Sequence, residues 1–172
     1  MKKLLDYSMM LAMIVAAMFT FTACGGDDEE PDYYAGGSAN IGIHRIDIQF
    51  SENAAGCISS VILYGLKKDG SYAPLYEGGK SLALDPTTHT WMTDEIRNIS
   101  VQTDDGCGAL SASIVIMGPN GKNVSSDVTI TAVGYVNNKR IKTQVFTLPA
   151  GKHIMSGGFV TEDNKTYPET FS

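Results

Sequence analysis

Past residue 40 the chain nowhere repeats its apolar residues at helical spacing; it offers short β-branched runs, each closed by turn-forming residues. Residues 41–50 carry Ile46, Ile48 and Phe50 on one face, with His44, Asp47 and Gln49 interleaved imperfectly. Residues 58–66 end at Lys67-Lys68-Asp69-Gly70, and 71–76 hold Pro74, which confines that run to an edge or makes it irregular. A short run at 81–84 is broken by Asp85-Pro86. Residues 95–103 alternate around Ile99 and Val101 before Asp104-Asp105-Gly106, and 110–117 stop at Gly118-Pro119-Asn120-Gly121. Val128–Val136 alternates cleanly, Asn137-Asn138 suits a primed two-residue turn, and 140–148 is then its hairpin partner. A last run covers 153–161. Roughly seven to nine short strands with turns between them predict an all-β domain over 41–172, an antiparallel β-sandwich.

The architecture so predicted resembles immunoglobulin-like and fibronectin type III-like domains, without a Cys-Trp-Cys spacing to carry the likeness further.

The N-terminus has a different grammar. Lys2 and Lys3 give a basic start, residues 9–21 are uncharged and mostly apolar, and Phe21-Thr22-Ala23-Cys24 closes the segment with small residues. That is the order of a secretory signal peptide, and the apolar run is short for a bilayer. The last four residues resemble the lipobox of bacterial lipoproteins, although Phe21 stands where Leu is commoner and Asp6 interrupts the basic region. The resemblance implies a signal peptide over 1–23, a diacylglycerol on the Cys24 thiol, cleavage before it and acylation of the new α-amine. Gly25-Gly26-Asp27-Asp28-Glu29-Glu30-Pro31-Asp32 follows, a composition that cannot bury a core and reads as a flexible acidic tether over 24–40. It also looks like the acidic export signal behind the lipidated cysteine of Bacteroidota-type surface lipoproteins. The expected address is the outer membrane of the cell envelope, with surface exposure the further step.

About 149 residues remain after such cleavage, enough to bury close to 70% of the unfolded surface without a metal. The leader's Lys2, Lys3 and Asp6 contribute +1 to the chain's net −6, which leaves the mature part at −7. An acidic body of this kind argues against a nucleic-acid partner and against electrostatic docking on anionic lipid. The membrane is then a partner through the N-terminal lipid alone.

With Cys24 committed to lipid, Cys57 and Cys107 remain, an even number in an oxidising compartment. Each follows a glycine at the start of an apolar run. Two strands that both begin at their cysteine bring those starts together only by running the same way on facing sheets, never as antiparallel neighbours. A Cys57–Cys107 disulfide is expected on this reading, closing a loop of about 50 residues and contributing about 4 kcal/mol. The other state is two free thiols buried as small hydrophobes.

Motifs for chemistry are absent from the sequence: no Gly-x-Ser-x-Gly elbow, no His-Glu-x-x-His, no phosphate loop and no Cys-x-x-Cys. His44, His89 and His153 are too dispersed to suggest zinc ligands and read as surface or turn residues. Asp104-Asp105-Gly106 and Glu162-Asp163-Asn164 carry oxygens that suit calcium, but acidic turns do the same structural work without a metal. No cofactor, no metal and no enzymatic activity are expected. A glycan is recognised by an exposed flat ring with polar groups beside it, and the candidate rings are Trp91, Tyr72 and Tyr76. Tyr72 and Tyr76 flank Pro74 at a spacing that places them on one side of an extended segment, and Trp91 falls in a connection-like stretch. The leading expectation is a lipoprotein with a non-enzymatic binding or structural role at the cell envelope, where the sandwich binds another protein or assembles with itself. The alternatives are a glycan-binding accessory lipoprotein of a polysaccharide-uptake system and a fimbrial or adhesin-type subunit.

Overall fold

The structure is a computed structural model, and residues 41–161 with Thr170–Phe171 are described. The leader at 1–23, Cys24, the tether to residue 40 and Glu162-Asp163-Asn164 lie outside the described residues. Two antiparallel sheets build the domain. Sheet I has the order β10 (Lys139–Leu148), β9 (Val128–Val136), β1 (His44–Phe50), β7 (Ile99–Thr103), β4 (Leu75–Glu77), β5 (Lys80–Ser81). Sheet II has the order β12 (Thr170–Phe171), β11 (Ile154–Val160), β8 (Cys107–Met117), β2 (Ile58–Lys67), β3 (Tyr72–Ala73), and β6 (Trp91–Thr93) also pairs with β2. The expected all-β sandwich is what forms.

Strand alternation supplies the core. Ile46 and Ile48 of β1, Ile99 and Val101 of β7, Ile130 and Ala132 of β9, and Phe146 and Leu148 of β10 point inward from sheet I. Val61 and Leu63 of β2, the even-numbered residues 110–116 of β8, and Met155 and Phe159 of β11 meet them from sheet II. The β9–β10 hairpin turns on Asn137 (φ 49°) and Asn138 (φ 64°), the left-handed pair of a primed turn, which asparagine tolerates better than most residues.

Pro74 does more than mark an edge. Tyr72–Ala73 pair with β2 in sheet II, whereas Leu75–Glu77 pair with β7 in sheet I. The proline, which has no N–H for a ladder, occupies the step where the chain changes sheets. The run expected at 81–84 shrinks to Lys80–Ser81, and a strand not expected, Trp91–Thr93, pairs with Val61–Leu63.

The cysteine expectation fails, for the reason that governed it. Strands β2 and β8 are antiparallel neighbours, with Ile58 opposite Met117 and Lys67 opposite Cys107. Cys57 precedes one end of β2, and Cys107 stands at the other end. About ten residues of strand, roughly 30 Å, separate them, whereas a disulfide needs Cα atoms within about 7 Å. Both thiols are free, Cys107 buried and Cys57 half-buried.

The sheet edges are unequal. Strands of two or three residues end the ladders at β5, β12, β3 and β6, whereas β10 ends sheet I with ten residues.

Candidate functional site

The outer faces of the two sheets differ in chemistry. On sheet I the outward rows present Arg45, Asp47 and Gln49 from β1, Ser100 and Gln102 from β7, and Thr129, Thr131, Val133 and Tyr135 from β9. This is a solvated face, tied locally by Arg45 to Asp47 at 3.3 Å and Ser100 to Asp47 at 2.7 Å. On sheet II the rows opposite one another on the outward side are Ile58, Ser60, Ile62, Tyr64 and Leu66 from β2, and Met117, Val115, Ser113, Ser111 and Ala109 from β8. Ile154, Ser156, Gly158 and Val160 continue them on β11, with Met92 and Tyr72 on the far side of β2. None of these outward residues is charged. Ile62 and Val115 are buried, while Ile58, Tyr72 and Met92 are 38%, 47% and 53% exposed.

Tyr72 is the polar-tipped ring at the edge of this face, and a built loop holds a second ring against it. The Asp85 carboxylate accepts the N–H groups of Thr87 and Thr88 at 2.8 Å each and the Thr88 hydroxyl at 3.1 Å. Those bonds hold its pKa below the ordinary aspartate value, the Thr88 amide contributing most. The loop closes where the Asp85 N–H reaches the Thr90 carbonyl and the His89 N–H reaches the Asp85 carbonyl, both at 2.8 Å. His89 sits at φ 54°, a left-handed conformation uncommon for a residue with a Cβ. Its imidazole stacks on Tyr72 with ring centroids 4.5 Å apart and planes 18° from parallel.

The sequence-level ring platform is therefore rearranged. Tyr72 and Tyr76 fall on different sheets, because the chain crosses at Pro74, and Tyr76 is half-buried opposite Gln102. Trp91 lies opposite Leu63, half-buried against the core. The ring that joins Tyr72 is His89, a turn histidine as its sequence context suggests, but one stacked on an aromatic partner. Its signal was the Asp85-Pro86-Thr87-Thr88 capping turn, not a spacing of aromatics.

His44 departs further from the surface role expected of it. It is fully buried, in phase with Ile46 and Ile48. Its Nε2 lies 3.0 Å from the Cys107 carbonyl, an acceptor only, so Nε2 carries a hydrogen. Nδ1 lies 2.6 Å from the Thr161 hydroxyl, and that same oxygen accepts the Leu110 N–H at 2.9 Å. Gly42 and Cys107 exchange backbone bonds of 3.0 and 3.1 Å, stitching the entry of β1 to the start of β8. The group is a polar clip between sheets. The Cys107 thiol donates to Asp104 Oδ1 at 3.2 Å, and burial first, then Asp104, pushes its pKa up to about 11, so it stays a thiol at neutral pH. Burial also raises Cys57.

A shallow groove of about 480 Å³ lies elsewhere, lined by Phe50, Glu52, Ile96, Arg97 and Asn98 among others. Its guanidinium is already engaged: Arg97 binds Glu77 through two nitrogens, at 2.5 and 2.8 Å, and Glu95 at 3.0 Å. Among the described residues no group of three or more His, Cys, Asp or Glu side chains is placed to hold a metal ion. Asp104 of the calcium-suited Asp104-Asp105-Gly106 turn faces Lys67 at 3.8 Å.

No protein-family model and no curated protein matches the chain. Solved structures do. A DUF4425 family protein from Bacteroides ovatus superposes with a TM-score of 0.60 at 16% identity, over 73% of this chain and 99% of its own. A DUF4425 domain of unknown function from Bacteroides vulgatus gives 0.60 at 20% identity, over 72% and 97%. A protein from Parabacteroides distasonis, described in its calcium-bound form, gives 0.52 at 22% identity, over 74% and 92%. At these identities the likeness is one of fold: the chain shares the two-sheet architecture of those domains.

Proposed function

We propose that this chain is a lipid-anchored protein of the bacterial cell envelope, held at the outer membrane through Cys24 and exposed at the surface, with a non-enzymatic binding or structural role. The Lys2-Lys3 start, the apolar run at 9–21, the small residues before Cys24 and the acidic stretch behind it support the anchor. Two or more acyl chains, at about 0.8 kcal/mol per buried methylene, hold a protein on a membrane stably. We read the sandwich as immunoglobulin-like or fibronectin type III-like in architecture, a scaffold that serves by its surfaces. The observation that carries the binding role is the uncharged outer face of sheet II, with Ile58, Tyr72 and Met92 as its most exposed apolar side chains. A solvated sheet face alternates apolar-in with mostly polar-out, as the charged rows of β1 do on sheet I, and a face without any charge is suited to contact.

The anchor is tested by feeding cells an alkyne-tagged fatty acid. The wild-type protein is expected to take up label and sediment with membranes. Cys24→Ala is expected to lose the label and to accumulate as a longer precursor. A Cys24→Ala protein that still carries label would refute the anchor.

One observation favours a glycan as the partner: the half-exposed Tyr72, rigidified by the strained His89 turn, is an exposed ring beside the polar Asp85–Thr90 loop. Stacking on a sugar face needs such a ring. Affinity electrophoresis against envelope and dietary polysaccharides separates the two readings. Retardation that falls by about tenfold in apparent affinity in Tyr72→Ala, a loss of about 1.4 kcal/mol, supports the glycan. No retardation of the wild type removes it and leaves the protein partner.

A further inference from the structure

We propose that the open edge of β10 pairs with the same edge of a second copy, joining two sandwiches through one continuous antiparallel sheet. This goes beyond the contact role of sheet II and does not depend on it.

Among the described residues, every ladder end other than β10 is blunted by a strand of two or three residues. Short edge strands are a recognised way of refusing edge-to-edge association, and long open edges invite it. Strand β10 runs ten residues, and among the described residues only β9 pairs with it. Its first part is guarded by Lys139 and Arg140 and by a bulge between Arg140 and Lys142. From Lys142 the register is regular to Leu148, and Pro149 follows. The stretch from Thr143 to Leu148 is uncharged and rich in β-formers.

These bounds fix a register. In an antiparallel ladder, opposed residues share a face, so a two-fold axis between identical strands must pass through a residue rather than between two. The regular stretch from Lys142 to Leu148 has Val145 at its centre. Val145 points to the outer face of sheet I opposite Thr131 and is 51% exposed, the most exposed large apolar residue of that sheet. An axis through Val145 sets Val145 against its copy, Thr143 against Thr147 and Lys142 against Leu148. The basic ends are then far apart. Arg140 approaches position 150 of the other copy, where Asp127 accepts the Ala150 N–H at 2.8 Å. Lys152 comes past the Gly151 turn. Two chains that each carry a net negative charge thus meet at an uncharged strip, with an acid at each rim facing a base.

The test uses the full chain in the cells that process it. Val145→Cys is expected to form a linked dimer under mild oxidation at least about tenfold faster than Gln49→Cys, another exposed position of the same sheet away from the edge, because pairing raises the effective concentration of the two sulfurs. Two differently tagged copies are expected to co-purify as wild type. Co-purification should be lost when both carry Val145→Lys or both Val145→Glu, and return when one carries each, since like charges directly opposed repel and opposite charges attract. The melting temperature of each single variant is compared with wild type to show that it folds. Equal cross-linking of Val145→Cys and Gln49→Cys would overturn the proposal, and so would co-purification that ignores the sign at position 145.

Discussion

Gly157→Val is expected to destabilise the domain by about 3 kcal/mol and to lower its melting temperature by roughly 10 °C. Gly157 lies on β11 opposite Ile114, facing inward. A Cβ built on it falls 2.5 and 2.6 Å from two ring carbons of Phe146. Phe146 is fully buried in the core from the opposing sheet, so it has no open volume to turn into. The absence of a side chain at position 157 is what admits the phenylalanine ring between the sheets. The mechanism predicts its own rescue. Phe146→Leu costs stability alone, yet in combination with Gly157→Val the two should couple favourably by more than about 1 kcal/mol, as residues in direct contact do. Chemical denaturation of the four proteins in the cycle measures this. Strict additivity, or a Gly157→Val protein that melts within a degree or two of wild type, would show that the ring yields easily.

The second large effect is expected at the polar clip. Thr161→Val keeps the shape of the side chain and removes one oxygen, which serves the Leu110 N–H at 2.9 Å and His44 Nδ1 at 2.6 Å. All three groups are buried, and each polar atom left unsatisfied costs about 1–3 kcal/mol, so a total near 2–4 kcal/mol is expected. Thr161→Ser keeps the oxygen and should stay within about 1 kcal/mol of wild type. The comparison isolates the hydroxyl from the packing. If Ser and Val variants lose the same stability, the missing methyl or the backbone is responsible, and the clip contributes nothing measurable.

Much of the fold was legible because the long strands obey period two. Val128–Val136, the Asn137-Asn138 turn and the returning strand emerge from alternation and turn chemistry alone, and the structure has them in that arrangement. The short elements were not legible. Three residues cannot display a period, so Trp91–Thr93 looked like a connection, and only its pairing with β2 makes it a strand. Pro74 announced an irregularity without saying that the chain would change sheets there, and the Tyr72–Tyr76 pair was lost with that crossing. Partner choice was equally out of reach: the two glycine-cysteine starts look alike, and nothing local states that their strands are antiparallel neighbours. His44 was the instructive case. Its position in phase with Ile46 and Ile48 places it on the core face, although an imidazole is polar enough to suggest the surface.

The entry of the chain into sheet I has a mechanical consequence. Strand β1 lies between β7 and β9, antiparallel to both, and its start is bonded to Cys107 of the other sheet. A pull applied from the N-terminal side draws β1 along its own length, so the bonds to both neighbours are sheared together instead of being unzipped one at a time. A domain dragged from that end resists as a block, and its rupture force is set by two ladders broken at once rather than by one hydrogen bond after another.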